Sequence, residues 1–218
     1  MRIVFFSDTH RKHGILDYSL FEGADVVVFS GDMSGRGQKH EIEDFLVWYS
    51  AMPIEKKIFI SGNHDFFWEK TDELDIKLFL ENRGLIYLND SEVVIDGIKF
   101  WGSPITPFFH NWAFNRLPGD DIEKHWSLIP NDVDVLITHG PPYGILDEVN
   151  NSYSSDIGCP QLMKKIEEIK PQAHCFGHIH EGYGKVIWNE TTFINSSIMD
   201  EKYEPTNKPI SLEIFKRN

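Results

Sequence analysis

The chain has 218 residues, of which 41% are hydrophobic and 13% are aromatic, and its formal net charge is −13. This length and apolar content predict one domain over residues 1–218 with a substantial core. The acidic balance argues against a long nucleic-acid groove, because contacts along a phosphate backbone need clustered lysine and arginine.

The cysteines, the N-terminal segment and the lengths of the apolar runs indicate the cellular compartment. The two cysteines form neither a CxxC pair nor a secreted disulfide framework. The N-terminal MRIVFFSD enters an apolar strand pattern at once, without the basic segment and apolar core of a secretory signal. Because no apolar run reaches the length of a bilayer span either, we expect a cytoplasmic protein without a membrane partner.

Short β-rich runs alternate with helical patterns along the chain. The five runs are RIVFFSD, ADVVVFSGD, KKIFISGNHD, VDVLITHGPP and AHCFGHIH, and each ends in glycine or polar residues. Helical patterns extend from Glu41 to Tyr49, from Asp72 to Asn82 and from Gln161 to Ile169. This alternation predicts a parallel sheet that is buried on both faces.

Two other segments predict antiparallel strands. SEVVIDGIKFWGSP and KVIWNETTFINSS contain alternating strands around the turns Asp96-Gly97 and Asn189-Glu190, which indicates two hairpins. The final PISLEIFKRN adds another strand. The expected fold class is therefore α/β, with two packed mixed sheets and helices on the outside.

Side chains that can ligate a metal follow each of the five β-rich runs. They are Asp8 and His10, then Asp32, then Asn63, His64 and Asp65, then His139, and finally His178 and His180. Groups at the carboxyl ends of strands in α/β sheets converge on one crevice, so these segments can meet. Each motif alone is more often an ordinary turn or cap than a ligand, and only the five together indicate a site.

The number and chemistry of these residues predict two metal ions. These residues are too many for one ion, since a catalytic zinc typically uses three protein ligands. Oxygen and imidazole ligands without a thiolate suit manganese, iron or zinc, of which we favour manganese. Two ions about 3.5–4 Å apart can clamp the attacking and leaving oxygens of a phosphoryl displacement. We therefore expect a small phosphate ester as substrate, attracted by the ions despite the acidic chain.

The ordered motifs DTH, GD, GNHD, THG and GHIH resemble those of the calcineurin-like metallophosphoesterases, whose pattern is DxH, GD, GNH[DE], H and GHxH. The match spans residues 8 to 180, and every motif position is filled. THGPP, GHIHEGYG and PTNKPI further resemble the branch with animal metallophosphoesterase-domain proteins and class III cyclic-nucleotide phosphodiesterases. The implied fold is a four-layer α/β/β/α sandwich.

The resemblance also implies a role for each motif residue. A first metal would be held by Asp8, His10, Asp32 and His180. A second would be held by Asp32 as the bridge, together with Asn63, His139 and His178. His64 would face the leaving group, with Asp65 as its orienting partner.

The implied activity is hydrolysis of a phosphate ester by in-line attack of a metal-bridging hydroxide. We expect a small phosphodiester, with a cyclic nucleotide as one candidate. A phosphomonoesterase or protein phosphatase would use the same metal clamp, and that alternative stays open. A scaffold on this fold should have lost ligands, and none is missing here. Aromatic residues beside the motifs fit either the core or a base-stacking wall, with Phe109 and Trp112 as the stacking candidates.

Overall fold

The computed structural model describes residues 1–149 and 157–217. Its strands are β1 (Arg2–Phe6), β2 (Val26–Ser30), β3 (Lys56–Ile60), β4 (Ile86–Tyr87), β5 (Ser91–Ile95), β6 (Ile98–Ser103), β7 (Thr106–Pro107), β8 (Asn115–Arg116), β9 (Val135–Thr138), β10 (Ala173–Phe176), β11 (Gly184–Trp188), β12 (Thr191–Asn195) and β13 (Ile210–Glu213). Its α-helices are α1 (Lys39–Ala51), α2 (Phe66–Lys70), α3 (Glu73–Leu80), α4 (Asp120–Trp126) and α5 (Pro160–Ile169). Short 3-10 turns cover His13–Ile15, Tyr18–Phe21 and His180–Gly182.

Most strands belong to two mixed sheets. The first has the order β13-β1-β2-β3-β4, in which β13 runs antiparallel to β1 and the other pairs are parallel. The second has the order β11-β12-β10-β9-β6-β5, with antiparallel pairs at its two edges and parallel pairs in its centre. The predicted combination of parallel and antiparallel strands is confirmed.

Side chains of the central strands alternate between two cores, because successive residues of a strand point to opposite faces. In β1, Ile3 and Phe5 pack in an apolar core with Val135 of the second sheet. Val4 and Phe6 face the other way and pack with residues of α1. Leu136 of the second sheet packs on its outer face with residues of α4 and α5. The four layers are thus helix, sheet, sheet and helix, as expected.

Both predicted hairpin turns are present. Ile95 pairs with Ile98 and Trp188 pairs with Thr191, so each connection has two residues. The turn residues have φ angles of 49° and 81° in the first turn, and 45° and 71° in the second. Left-handed φ at both central residues is the requirement of the type I′ turn, which matches the twist of the strands.

The helices differ from the predicted ones in their ends and in their number. Helix α1 ends at Ala51 rather than Tyr49, and α3 ends at Leu80 rather than Asn82. The first helix begins at Lys39, ahead of the predicted Glu41, because Gln38 and Glu41 form a reciprocal capping box at its N-terminus. Helices α2 and α4 were not predicted, since five and seven residues carry too few turns for a helical period to show. Within the described ranges, no helix has both the length and the apolar character that crossing a bilayer requires.

We predict that the contact between α1 and the first sheet carries much of the stability. Phe45 is fully buried, and its ring centroid lies 4.5 Å from that of Phe29, whereas Val47 on the same helix is 61% exposed. Phe45→Ala should lower the free energy of unfolding by about 3–5 kcal/mol. Val47→Ala, the matched control, should change it by less than about 0.5 kcal/mol. Urea unfolding followed by circular dichroism measures both, and equal effects would contradict this packing.

Candidate metal centre

The loops after β1, β2, β3, β9 and β10 meet at one edge of the two sheets. The amide of Asp8 donates to the carbonyl of Gly31 at 2.9 Å, which ties the loop after β1 to the loop after β2. The amide of Gly177 donates to the carbonyl of His139 at 2.9 Å, which ties the loops after β10 and β9. The expected crevice at the carboxyl ends of the strands is therefore present.

Acidic and imidazole groups cluster where these loops meet. Three triads each place one donor atom per residue within 4.8 Å of the others, and they are Asp8, His10 and His180, then His10, Asp32 and His64, then Asp8, Asp32 and His139. Because the triads share Asp8, His10 and Asp32, they form one cluster. Both carboxylates are buried, at 0% and 2% exposure.

The remaining predicted ligands join this cluster through His139. Its Nε2 lies 3.3 Å from Oδ2 of Asp32 and 2.9 Å from Oδ1 of Asn63. The ring of His178 has its centroid 5.1 Å from that of His139, and its backbone amide donates to both carboxylate oxygens of Asp8 at 3.1 Å. The structure thus brings all seven predicted ligand residues to one place.

One kind of hydrogen bond orients four of the imidazoles. The Nδ1 atoms of His10, His64, His139 and His180 lie 3.2, 2.9, 2.9 and 2.9 Å from the backbone carbonyl oxygens of Ser34, Gly35, Ser30 and Asp200. A carbonyl oxygen can only accept, so each Nδ1 carries a proton. In its neutral form each ring therefore presents an Nε2 lone pair to the cluster, which is the arrangement of metal-binding histidines.

The contact between His10 and His180 indicates that a cation fits in this cluster. The two Nε2 atoms lie 3.3 Å apart, and each is 3.7 Å from a carboxylate oxygen, of Asp32 and Asp8 respectively. With both Nδ1 atoms protonated, two neutral rings would place their Nε2 lone pairs against each other beside two anions. A cation between these atoms would turn the repulsion into ligation, so the donor set fits a metal.

The charges of the cluster lead to the same conclusion. Burial acts to raise the pKa of Asp32, but His139 and His64 outweigh it and hold that pKa well below its usual range. Burial acts to lower the pKa of His139, but Asp32 and Asp8 raise it to about 9. The pKa of His178 falls to about 4, through burial and then through the charge on His139. Buried carboxylates therefore stay ionised and require a positive charge beside them.

The backbone of the cluster is unusual in ways that favour close approach of its ligands. Asp8, His10, Asp32 and His178 have φ angles of 51°, 40°, 62° and 67°, a left-handed region that costs residues other than glycine about 1 kcal/mol or more. Such conformations concentrate at functional sites. A side chain at Gly177 would overlap the Asp8 carboxylate, so only glycine fits at this position.

Asp65 lies elsewhere than its expected role requires. Its carboxylate accepts from the amides of Asp32 and Ser34 at 3.0 Å, from that of Gly62 at 2.8 Å and from the Ser34 hydroxyl at 2.7 Å. The imidazole of His64 is instead oriented by the Gly35 carbonyl. The structure corrects the expected pairing: Asp65 fixes the loop that carries Asp32.

His64 borders the cluster and packs against an aromatic ring. Its Nε2 lies 4.0 Å from Oδ2 of Asp32, and its ring stacks on Trp112 with centroids 4.2 Å apart and an interplanar angle of 28°. The imidazole therefore covers one face of Trp112, and that face is not available for the base stacking for which the sequence made this residue a candidate. Phe109 remains 61% exposed and contacts His110.

Tyr203 belongs to the site although no motif indicated it. Its ring centroid lies 4.9 Å from those of both His10 and His180. The same segment supplies the Asp200 carbonyl that orients His180. A backbone carbonyl has no signature in a sequence, and an isolated tyrosine near the C-terminus carries none either.

Known proteins share this fold and these motifs. The calcineurin-like phosphoesterase family matches residues 1–182. The human metallophosphoesterase domain-containing protein 1 is 36% identical over 234 residues, which cover 98% of this chain and 71% of that protein. A crystal structure from Thermus thermophilus has a TM-score of 0.58 at 13% identity, with 89% of this chain and 88% of that chain covered.

GAP50, the anchor in the inner membrane complex of Plasmodium, has a TM-score of 0.53 at 14% identity, with 99% of this chain and 78% of GAP50 covered. At these identities the two solved structures show the fold alone. The match of the family over most of the chain and the similarity to the human protein go further. The chain belongs to the calcineurin-like phosphoesterase family.

Proposed function

We propose that this protein hydrolyses a small phosphodiester with the help of two metal ions, of which manganese is the favoured kind. The observation that carries the proposal is the convergence of imidazole Nε2 atoms on two buried carboxylates. Family membership supports a metal-dependent phosphoric ester hydrolase. A non-catalytic scaffold on this fold should have lost metal-ligand residues. All of them are present in this chain, which favours an enzyme over a scaffold.

The proposed ligands divide into two sets around the shared Asp32. The first set is Asp8, His10, Asp32 and His180, and the second is Asp32, Asn63, His139 and His178. When bound, the two ions would polarise the phosphate oxygens and lower the pKa of a water molecule. The chain's own contribution is to hold these donors in place before substrate arrives, through the carbonyl bonds to Nδ1.

His64 is placed to act on the leaving oxygen. Its Nδ1 proton is held by Gly35, and its half-buried Nε2 faces the cluster, so a second proton on Nε2 can be donated outward. In the hydrolysis, a water oxygen bonds to phosphorus and releases a proton to solvent, while the bond from phosphorus to the leaving oxygen breaks. The leaving oxygen takes the proton from Nε2 of His64, which then regains a proton from solvent. Stacking on Trp112 restricts rotation of the ring and keeps it aligned.

Removal of metal should abolish the proposed activity. The protein treated with chelator and then dialysed should hydrolyse neither phosphodiesters nor monoesters, and added manganese should restore hydrolysis. The assay should use a panel of both ester types, with bound metal measured by elemental analysis. Full activity without metal would contradict the proposal, and restored hydrolysis of monoesters alone would replace the diesterase with a monoesterase.

Substitution of the shared carboxylate should lower the bound metal content more than substitution of a residue that ligates only one ion. Asp32→Ala should reduce the metal content per chain further than Asn63→Ala, because Asp32 contacts donors of both sets. Asp75→Ala, at an exposed position of α3, is the control and should retain both ions. Elemental analysis after equilibration with manganese measures the difference. Equal metal content in the Asp32 and Asn63 variants would show that Asp32 is not the bridge.

The role proposed for His64 predicts a dependence on the leaving group. An alkoxide needs a proton in order to leave, whereas nitrophenolate leaves readily without one. His64→Ala should therefore reduce turnover of alkyl esters by about one to two more decades than turnover of nitrophenyl esters, within the roughly 10²–10⁴ range of general acid catalysis. Metal content must be measured alongside. Equal losses on both ester types, with both ions bound, would return His64 to substrate positioning.

A further inference from the structure

A cavity of about 450 Å³ adjoins the metal centre on the side of His178 and His180. Its aromatic lining comes from two distant segments, with Phe108 and Phe109 after β7 and Tyr203 before β13. These side chains are 51%, 61% and 47% exposed, which is high for large apolar groups. Exposed aromatic groups around a cavity of this size are typical of a ligand pocket.

Tyr203 connects this pocket to the proposed ligands. Its ring packs against those of His10 and His180, and its carbonyl accepts from Nζ of Lys12 at 2.6 Å. The turn that carries it is closed by Asp200, whose side chain accepts from the amide of Glu204 at 2.9 Å. A group that lies on the Tyr203 ring would thus be close to the proposed metal ligands His10 and His180.

The charge of the pocket is one-sided. Glu181 and Glu201 line it, and no lysine or arginine does so among the residues that the structure describes. Residues 150–156, which lie outside those residues, have the sequence NNSYSSD and also contain no lysine or arginine. Lys12 lies close to Tyr203 but does not line the cavity. Its ammonium donates to the carbonyl of Tyr203 and to the carboxylate of Glu204. Apart from the histidines and the field of any bound metals, the charged groups among the described lining residues are therefore two carboxylates.

We propose that this pocket receives the retained organic group of the ester and selects uncharged or cationic apolar groups over groups with a second negative charge. The inference rests on the phosphoesterase function proposed above. The retained group is assigned here because His64, the proposed donor to the leaving oxygen, is not among the lining residues and lies beside Trp112. Phe109 and Tyr203 supply the apolar contact, and Glu181 and Glu201 supply the charge selectivity.

The solvent exposure of the two glutamates limits how strongly the pocket can discriminate between charged and uncharged groups. Glu201 is exposed and Glu181 is partly buried, so water and salt screen both carboxylates. We therefore expect discrimination of about tenfold rather than several decades. An ester with a second phosphate, or a phosphorylated peptide rich in acidic residues, falls on the disfavoured side.

The test uses three diesters that share a nitrophenol leaving group. Their retained groups are choline, its neutral isostere with carbon in place of the ammonium nitrogen, and a chain of equal length that ends in a carboxylate. For the manganese-loaded protein, kcat/KM should be about tenfold lower for the carboxylate ester than for the neutral one, and highest or equal-highest for choline. Calorimetry of the three product monoesters, measured on the same protein, should give the same order of affinity.

Charge removal should narrow this difference. In the double variant Glu181→Gln with Glu201→Gln, the ratio between the neutral and carboxylate esters should fall by about threefold or more, mainly through KM. The matched control is Glu167→Gln with Glu168→Gln on α5, which removes the same charge at two exposed positions outside the pocket. That control should keep the ratio of the unaltered protein. Phe109→Ala should raise KM for the neutral ester by about threefold to tenfold, through lost apolar contact.

The outcomes separate this inference from the proposed function. Hydrolysis of all three esters with equal kcat/KM and equal product affinity would overturn the pocket selectivity and leave the phosphoesterase intact. Product affinities in the expected order without hydrolysis of any ester, in a protein with two bound ions, would overturn the function and leave the pocket selectivity standing. An equal change of the ratio in both double variants would show that net charge, rather than this pocket, selects.

Discussion

The bond between an imidazole Nδ1 and a backbone carbonyl is the interaction on which the site depends. It fixes the direction of His10, His64, His139 and His180, so that their Nε2 atoms point toward the carboxylates of Asp8 and Asp32. Four such bonds from separate loops remove the freedom of the rings to turn toward solvent. The cluster is therefore organised for a cation by backbone groups that never touch that cation.

The rest of the fold serves to place those carbonyls and carboxylates. Parallel strands bring the five loops to one edge, and the loops then adopt left-handed conformations at Asp8 and Asp32 that a free chain would avoid. Asp65 offsets part of this cost, because its buried carboxylate gathers the amides of the loop after β2. A net charge of −13 is compatible with the proposed phosphate-ester substrate, because bound ions would supply the positive charge that the acidic chain lacks at the site.

Local signals in the sequence predicted the strands longer than two residues, the hairpin turns and the set of residues that converge. Apolar runs and Asp-Gly or Asn-Glu turns are readable because neighbouring residues carry them. The stacking of Trp112 on His64, the packing of Tyr203 on His10 and the contacts of Asp65 were not predictable, since each depends on segments that meet only after folding. The orienting carbonyl of Asp200 is invisible for a further reason, because every residue has a carbonyl. The expected link between Asp65 and His64 came from resemblance and not from any physical signal in this chain.

Anomalous diffraction from crystals grown with manganese, recorded on both sides of the absorption edge, tests the central claim most directly. The account predicts two adjacent anomalous peaks, one beside Nε2 of His10 and His180 and the other beside Nε2 of His139, with the carboxylate of Asp32 between them. The four Nδ1 bonds to carbonyl oxygens should be unchanged from those described above. A single peak, or peaks remote from Asp32 with the rings turned away, would contradict the claim that these imidazoles are organised for two ions.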